Sequence, residues 1–260
     1  EDFTRAVTEI KPAFGASGET LDLCMPNGIH AYGSRFLQLI ETGMKFFAQV
    51  KDSERTPLLS FLLEGPSGSG KTALAAHLAN KADFPYIKLV TAENLVNQSE
   101  VARCSRITQA FEDAYKSPVS VVVLDNIERL VSYVKIGPRF SNEILQVLLV
   151  LIKKRPPKNH RLMVIGTTSN VEVLESLDLA GPHGVFSTTV SVPLLNKEEA
   201  SSVMEKLGCF NPSQIPACAD AIDSEGIGVK QLHMVAEMAR QQEEQITAPQ
   251  FISCLRSYGL

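Results

Sequence analysis

The sequence lacks three features that would assign it to a specialised class of protein. Lys and Arg total 25 against 29 Asp and Glu, a net charge of -4, so no broad positive field for nucleic acid is expected. No apolar run approaches the ~18 residues of a membrane span, so no direct membrane insertion is expected. The five cysteines form no CxxC pair, which argues against a disulfide framework or a zinc site and favours a reducing, cytoplasmic compartment.

What the sequence does contain is enough apolar material for a large core. A chain of 260 residues with 44% hydrophobic residues can fold as one domain or as a large domain with a smaller one. It begins at Glu1 and shows no signal sequence, so we interpret it as a cytosolic piece of a longer protein. The first 28 residues lack sustained periodicity, and we expect 1–28 to be a linker or N-terminal extension.

Short apolar runs alternate with helical patterns between residues 29 and 194. This alternation predicts an α/β subdomain with a five-stranded, mostly parallel sheet, helices on both faces and a ligand site at the carboxyl ends of the strands. A helix over 35–50, interrupted at Gly43, is expected before the first strand. The strands are predicted at 58–63, 86–90, 119–124, 162–166 and 188–192.

Only helical patterns follow Pro193. They predict a small all-helical lid subdomain over 195–260, with the boundary near 194–196 and Asn196 capping the first lid helix. The predicted lid helices are 197–207, 214–222, 229–241 and 249–257.

The motif that carries the most chemistry follows the first predicted strand and fits GxxxxGK[ST]. In such a loop, glycines let backbone N–H groups surround phosphates, the lysine reaches the outer phosphates and the hydroxyl binds Mg²⁺. The alternative is a glycine-rich turn with an exposed lysine. The residues predicted to bind ATP here are Gly65, Pro66, Ser67, Gly68, Ser69, Gly70, Lys71, Thr72 and Ala73.

A second motif is the apolar strand 121–124 that ends in Asp125. A carboxylate in this place lies beside the bound Mg²⁺ in P-loop ATPases, so Thr72 and Asp125 are the predicted metal ligands. Many such ATPases have a second carboxylate next in sequence to activate the attacking water, but this chain has Asn126. An amide can hold a water without taking its proton, which predicts slow hydrolysis. Glu128 is the alternative base, although we expect it to face elsewhere.

Three further polar residues are candidates with weaker signals. Ser169 belongs to the polar cluster 167–170 that ends the strand at 162–166, and this cluster could contact the γ-phosphate or its water. Lys230 begins a lid helix whose dipole favours an anion there, although it could equally be a solvated surface lysine. Arg139 is the clearest candidate for an arginine that reaches a neighbouring subunit, and a structural role is its alternative.

Together these residues resemble the second ATPase domain of the N-ethylmaleimide-sensitive fusion protein family, the AAA ATPases that disassemble SNARE complexes. The resemblance runs from residue 27 to the end of the chain. Its most specific stretch is Gly-Pro-Arg-Phe-Ser-Asn at 137–142. This stretch is part of a match over 136–142, and the other matching stretches are 56–60, 63–66, 69–76, 111–117, 127–130 and 165–169.

The resemblance implies an AAA+ P-loop NTPase that binds ATP and Mg²⁺ tightly, hydrolyses ATP weakly and stabilises a homo-hexamer. It places Ile29, Tyr32 and Gly33, with Asn27 and Gly28, along the adenine, and Lys230 near the γ-phosphate. The family domain usually has Asp where this chain has Asn126, which puts hydrolysis further in doubt. Through the rest of a full-length chain it implies adaptor–SNARE partners, no nucleic acid, and a cytoplasmic protein peripherally associated with vesicle and Golgi membranes.

Three alternatives to this ATP-binding, hexamer-stabilising role are open at this point. The first is a hydrolytically active motor, with Glu128 or waters around Asn126 and Ser169 acting in place of the missing base. The second is a small-molecule P-loop kinase, which usually needs an arginine-rich lid that this chain lacks. The third is a nucleic-acid AAA+ protein, which the acidic charge balance disfavours.

Overall fold

The computed structural model describes residues 21–26, 28–137, 139–240 and 245–259. In this part of the chain one five-stranded sheet has the order β2-β3-β4-β1-β5. Every neighbouring pair is parallel, so the predicted α/β class and all five predicted strands are confirmed. The strands are β1 Leu58–Glu64, β2 Tyr86–Thr91, β3 Val119–Asp125, β4 Arg161–Thr168 and β5 Thr188–Ser191.

Helices cover both faces of this sheet, because each strand sends alternate side chains to opposite sides. Phe61 and Leu63 of β1 pack in one apolar cluster with the first two helices, whereas Leu62 packs in a second cluster on the other face. The helices before residue 195 are α1 Ser34–Asp52, α2 Lys71–Lys81, α3 Glu100–Ala114, α4 Ile127–Leu130, α5 Asn142–Lys153 and α6 Val171–Ser176, with a 3-10 turn at Glu93–Leu95.

The apparent interruption of α1 at Gly43 is a packing site. The helix continues through Gly43, which is buried. A Cβ atom built there would lie 2.7 Å from the methyl groups of Leu78 in α2. Glycine therefore allows the two helices to approach closely, even though glycine inside a helix costs about 1 kcal/mol relative to alanine.

The residues after 194 fold as helices, as predicted. Asn196 caps the first of them in a capping box, with its side chain accepting from the Glu199 N–H and the Glu199 carboxylate accepting from the Asn196 N–H. The predicted helix 214–222 is shorter than expected and is preceded by a 3-10 turn. The elements are α7 Lys197–Leu207, the 3-10 turn Pro212–Gln214, α8 Ile215–Asp220, α9 Val229–Arg240 and α10 Ala248–Tyr258.

The apolar core of these helices is continuous with the core on one face of the sheet. Antiparallel pairing of Leu195 with Ile227 connects the residues before α9 to the segment that follows β5. The division into 1–28, 29–194 and 195–260 stays a prediction, and residues 1–20 and 27 lie outside the described residues. Within the described ranges, no helix has both the length and the apolar character needed to cross a bilayer.

Candidate functional site

The predicted phosphate loop connects the end of β1 to the first turn of α2. Gly65, Gly68 and Gly70 have φ values of 152°, 83° and 96°, a region that residues with side chains rarely adopt. Gly70 is the left-handed residue just before α2. The first N–H groups of α2 have no intrahelical acceptors, so the turn offers an anion both these donors and the positive end of the helix dipole.

Gly65 is the most tightly constrained residue of this loop. A Cβ atom there would lie 2.2 Å from the carbonyl oxygen of Val192, the residue directly after β5. The Val192 N–H in turn donates to the Glu64 carbonyl at 2.7 Å. At the point where the loop leaves β1, the backbone of Val192 therefore leaves no room for a side chain.

We expect Gly65→Ala to lower the free energy of unfolding by about 3 kcal/mol, because it adds both an unfavourable φ and a backbone collision. Denaturant titration checks this value. Gly208→Ala is the matched control, since Gly208 also has positive φ but nothing within 4 Å of its added Cβ, and its cost should be nearer 1 kcal/mol. Equal losses for the two variants would contradict the predicted collision.

Lys71 is buried at the start of α2, with only 5% of its surface exposed. Its Nζ donates to the carbonyl oxygens of Gly65 and Pro66 at 2.8 and 2.7 Å. Burial lowers the pKa of the Lys71 ammonium below its usual range, while the carboxylates of Glu128, Asp125 and Glu64 oppose this shift. An anion in the loop would favour the charged form of a lysine held in this way.

Thr72 and Asp125 meet as the predicted metal ligands should. The Thr72 hydroxyl donates to Oδ1 of Asp125 at 2.6 Å. The same oxygen accepts from the hydroxyl of Thr167 at 2.8 Å, which lies at the end of β4 and is fully buried. A hydroxyl and a carboxylate are hard oxygen ligands of the kind Mg²⁺ prefers, and Thr167 fixes the orientation of the carboxylate.

Asn126 lies directly beside this pair. Its backbone is left-handed, with φ 51° and ψ 65°, and its N–H donates to the Thr167 hydroxyl at 2.8 Å. Its side-chain amide donates to Oδ2 of Asp125 at 3.1 Å. The Asn126 amide therefore supports the Asp125 carboxylate, and this position supplies no group that accepts a proton near neutral pH.

The expectation that Glu128 faces away from the site is wrong. Its carboxylate accepts from the Thr168 hydroxyl at 2.8 Å and from the Ser169 N–H at 2.9 Å. Of the three carboxylates that act on the pKa of Lys71, Glu128 has the strongest effect. The physical reason is the left-handed turn at Asn126, which starts α4 at Ile127 and directs Glu128 over the end of β4.

Ser169 enters the site through its backbone. Its N–H holds the Glu128 carboxylate, while its side chain lies on the exposed surface. The hydroxyls of Thr167 and Thr168, in the same predicted polar cluster, donate to the carboxylates of Asp125 and Glu128, which are hydrogen bonds that the sequence did not predict. The signal that could have found them is the register of the sheet: Thr167 pairs with Leu63, two residues before the phosphate loop, so its side chain lies at the ligand edge.

The lid contacts the phosphate loop directly. The Lys230 N–H donates to the Gly68 carbonyl at 3.2 Å, and the side chain of Lys230 is exposed beside the loop. The Gly228 N–H donates to the Gln231 side chain at 3.0 Å. A Cβ atom on Gly228 would lie 3.0 Å from the Gly68 carbonyl oxygen, so the start of α9 packs closely on the loop, as the prediction for Lys230 requires.

The segment predicted to line the adenine runs beneath the lid, except for Asn27, which lies outside the described residues. Ile29 packs against the same apolar cluster as Val229 of the lid. Tyr32 is buried, with its ring centroid 4.9 Å from that of Phe36, and burial together with the Glu199 carboxylate raises its pKa to about 12. Gly33 is the exposed residue that precedes α1. An adenine role for Ile29, Tyr32 and Gly33 stays a prediction.

Charged contacts join this segment to the lid. Arg35 of α1 donates to the Leu194 carbonyl at 2.7 Å and pairs with the buried carboxylate of Glu199 in α7. Lys206 of α7 donates to the Ala31 carbonyl. Sequence reasoning missed these contacts, because nothing in the spacing of Arg35 and Glu199 indicates that they meet.

The residues present fit a nucleotide with Mg²⁺. The loop has an orphaned buried hydroxyl, since Ser69 Oγ is buried without a hydrogen-bond partner among the described residues. Pro66 and Ser67 form the exposed outer part of the loop. The buried Lys71 and the Thr72–Asp125 pair complete a set that suits phosphate and a hard cation.

Arg139 lies apart from this site. It is exposed in the loop between α4 and α5, where its backbone pairs with Val134, and the neighbouring Pro138 lies outside the described residues. Its predicted role toward a neighbouring subunit stays a prediction.

Comparison with known proteins adds family evidence to this geometry. The model of the AAA family, "ATPase family associated with various cellular activities", matches residues 61–188. The chain is 45% identical over 270 residues to a vesicle-fusing ATPase of Arabidopsis thaliana and 43% identical over 261 residues to one of Dictyostelium discoideum. It is 38% identical over 251 residues to the vesicular-fusion protein SEC18 of Saccharomyces cerevisiae. The predicted resemblance to this group is therefore confirmed.

These alignments include 99%, 100% and 95% of this chain but only 36%, 35% and 33% of the three relatives. The chain thus spans about a third of the length of the curated relatives it matches.

Proposed function

Because this chain belongs to the AAA ATPase family, we propose that it binds ATP with Mg²⁺ and uses the bound nucleotide to stabilise a homo-hexamer, with slow hydrolysis. The observation that carries the proposal is the network around Asp125. Its carboxylate is oriented by Thr72 and Thr167, and the residue that follows it offers an amide in place of a second carboxylate. This arrangement supports binding of nucleotide and metal more than rapid turnover.

The roles of the individual residues follow from their positions. Lys71 and the N–H groups of the loop would bind the outer phosphates, while Thr72 and Asp125 would hold Mg²⁺. When bound, Mg²⁺ supplies charge stabilisation to the phosphate oxygens. Lys230 would add a cation from the lid, because α9 begins in contact with Gly68.

Slow hydrolysis is expected because the residue after Asp125 cannot take the proton of the attacking water. The attacking water must be oriented and must lose a proton, and a positioned base typically contributes 10²–10⁴-fold to such a step. Asn126 can accept a hydrogen bond from a water but cannot remove its proton. Nucleotide would therefore stay bound long enough to act as a fastener between subunits.

We expect the chain, once stripped of nucleotide, to sediment as a monomer and to form hexamers when ATP and Mg²⁺ are added. Sedimentation velocity at several protein concentrations measures this, and a parallel phosphate-release assay reports turnover. A monomer at saturating ATP would contradict the proposed role in assembly. Hexamers that form equally well without nucleotide would contradict the proposal that bound nucleotide holds the subunits together.

A second candidate function is a hydrolytically active motor domain, and one specific observation favours it. The carboxylate of Glu128 is held at the end of β4 by Thr168 and Ser169, close enough to Lys71 to affect its pKa. A carboxylate in that place could accept a proton from a water. Brisk phosphate release that Glu128→Gln abolishes would favour this candidate over the fastener.

The similarity to vesicle-fusing ATPases supports a wider proposal for the longer protein. We expect it to act on adaptor–SNARE complexes through parts outside this chain and to associate peripherally with vesicle and Golgi membranes from the cytoplasm. Disassembly of purified adaptor–SNARE complexes by the full-length protein tests this. The 260-residue chain alone should not disassemble them, and activity of the chain alone would contradict the proposal.

A further inference from the structure

Two histidines meet where the lid contacts the segment before α1. His30 belongs to that segment and His233 to α9 of the lid. Their ring centroids are 5.2 Å apart with an interplanar angle of 33°. Neither residue belongs to the phosphate loop or to the predicted metal site, and the proposed chemistry does not use them.

The surroundings of the His233 ring favour its neutral form. Nε2 of His30, the ring beside it, is buried with no hydrogen-bond partner among the described residues. Burial lowers the pKa of His233 below its ordinary value of 6.5, the nearby His30 lowers it further, and Glu237 on the same helix opposes the shift. Near His30, the ammonium of Lys206 contacts the Ala31 carbonyl, which adds positive charge to that side.

The pair lies one helical turn from the phosphate loop. His233 follows Lys230 by three residues in α9, so the two side chains lie on the same face of the helix. Lys230 donates its N–H to Gly68, and Val229 lies 4.0 Å from a Cβ atom built on Gly70. The contact between the imidazoles therefore fastens α9 at the place where the lid touches the loop.

We propose that the His30–His233 contact positions the start of α9 on the phosphate loop while the rings are neutral, and that protonation of His233 loosens the lid and weakens nucleotide binding. The proposal rests on the proposed binding of ATP, and it makes His30 and His233 positioning residues that act through Lys230. A charge on His233 would be partly buried while the lid is docked, and opening of the lid would let water hydrate it.

The direction of the pH effect follows from proton linkage. With the lid docked, His233 binds a proton less readily than an exposed imidazole does, so the open lid takes up more protons. Docking is therefore strongest above the ordinary value of 6.5, and it weakens as the pH falls from that value toward the lowered pKa. Each unit of difference between the two pKa values contributes about a tenfold loss of docking.

The test compares the 260-residue chain with the double variant His30→Phe/His233→Phe. In this variant a phenyl ring replaces each imidazole, so an aromatic ring stays at both positions but neither can take a proton. Affinity for Mg·ADP is measured by calorimetry at pH 7.5 and near pH 5.8. The wild type should lose about twofold to fivefold more affinity on acidification than the variant. Because both proteins bind the same ligand, the titration of its phosphates cancels in the comparison.

His183→Phe is the matched control, since His183 is exposed in the loop before β5, and it should keep the wild-type pH profile. An NMR titration of the imidazole protons supplies a readout that needs no nucleotide: His233 should titrate with a pKa below the ordinary value of 6.5. Equal losses in wild type and double variant, or titration of His233 at or above that value, would overturn the proposal.

The measurement distinguishes a failure of the proposed nucleotide binding from a failure of the proposed role of the histidines. A wild type that binds no Mg·ADP even at pH 7.5 would remove the proposed function and this inference with it. A wild type that binds well at pH 7.5 but shares its pH profile with the double variant would remove only the role of the histidines.

Discussion

Lys71→Ala should weaken ATP binding by about a hundredfold or more, because hydrogen bonds to a charged group contribute about 1.5–3 kcal/mol each. In the structure Nζ lies inside the loop, held by the carbonyls of Gly65 and Pro66, where an incoming phosphate would become its partner. Calorimetry or titration with a fluorescent nucleotide measures the loss. If nucleotide fastens the ring, the variant should also sediment as a monomer under conditions in which the wild type is hexameric.

The fold should survive this change. Alanine has the highest helix propensity and Lys71 stands at the start of α2, so thermal unfolding of the variant checks that the loss is local. Lys81→Ala, at the exposed end of the same helix, is the matched control and should bind ATP as the wild type does. Wild-type ATP affinity in Lys71→Ala would contradict the assignment of this loop to phosphate binding. Hexamers of the variant without bound ATP would contradict the proposal that nucleotide stabilises the hexamer.

Asn126→Glu should raise ATP hydrolysis by about a hundredfold, the lower end of the contribution expected of a general base. The change places a carboxylate next to Asp125, where the amide of Asn126 now donates to Oδ2. Repulsion between the two carboxylates should make the variant depend more strongly on Mg²⁺. Phosphate release at saturating Mg·ATP measures the gain.

Two controls separate the sources of any activity. Asn126→Gln has the length of Glu without its charge, so it should hydrolyse ATP no faster than the wild type. Glu128→Gln removes the carboxylate held by Thr168 and Ser169 and should change a slow wild-type rate little. The opposite result is a wild type that hydrolyses ATP rapidly, with a rate that Asn126→Glu does not raise and Glu128→Gln abolishes. That result would favour the motor domain over the hexamer-stabilising role.

Much of the fold could be predicted from the sequence because its signals are local. Strands buried on both faces appear as continuous apolar runs, and the alternation of these runs with helical patterns indicates a parallel sheet. The cap of α7 could also be predicted, since Asn196 and Glu199 are three residues apart and each side chain bonds to the other's backbone. The shorter α8 was missed at its ends, where local signals are weakest.

In the candidate site too, features that depend on neighbouring residues could be predicted, and contacts between distant residues could not. The places of the loop after β1 and of Asp125 could be predicted because each motif lies directly after a strand, while their roles in binding stay predictions. Glu128 was misplaced because its direction depends on the left-handed backbone of Asn126, which residue type alone does not indicate. Thr167 was predicted only as part of a polar cluster near the γ-phosphate, and its hydrogen bond to Asp125 was missed because it joins residues 42 apart.

The sequence by itself determined the parallel α/β fold, the nucleotide loop and the amide where a second carboxylate often stands, because each of these is written in contiguous residues. Only the tertiary structure decided which side chains orient Asp125, that Glu128 turns toward Lys71, and that α9 is seated on the loop beside a pair of histidines. Those contacts join residues distant in the chain, and their partners are selected by strand order and helix packing, which no local pattern specifies.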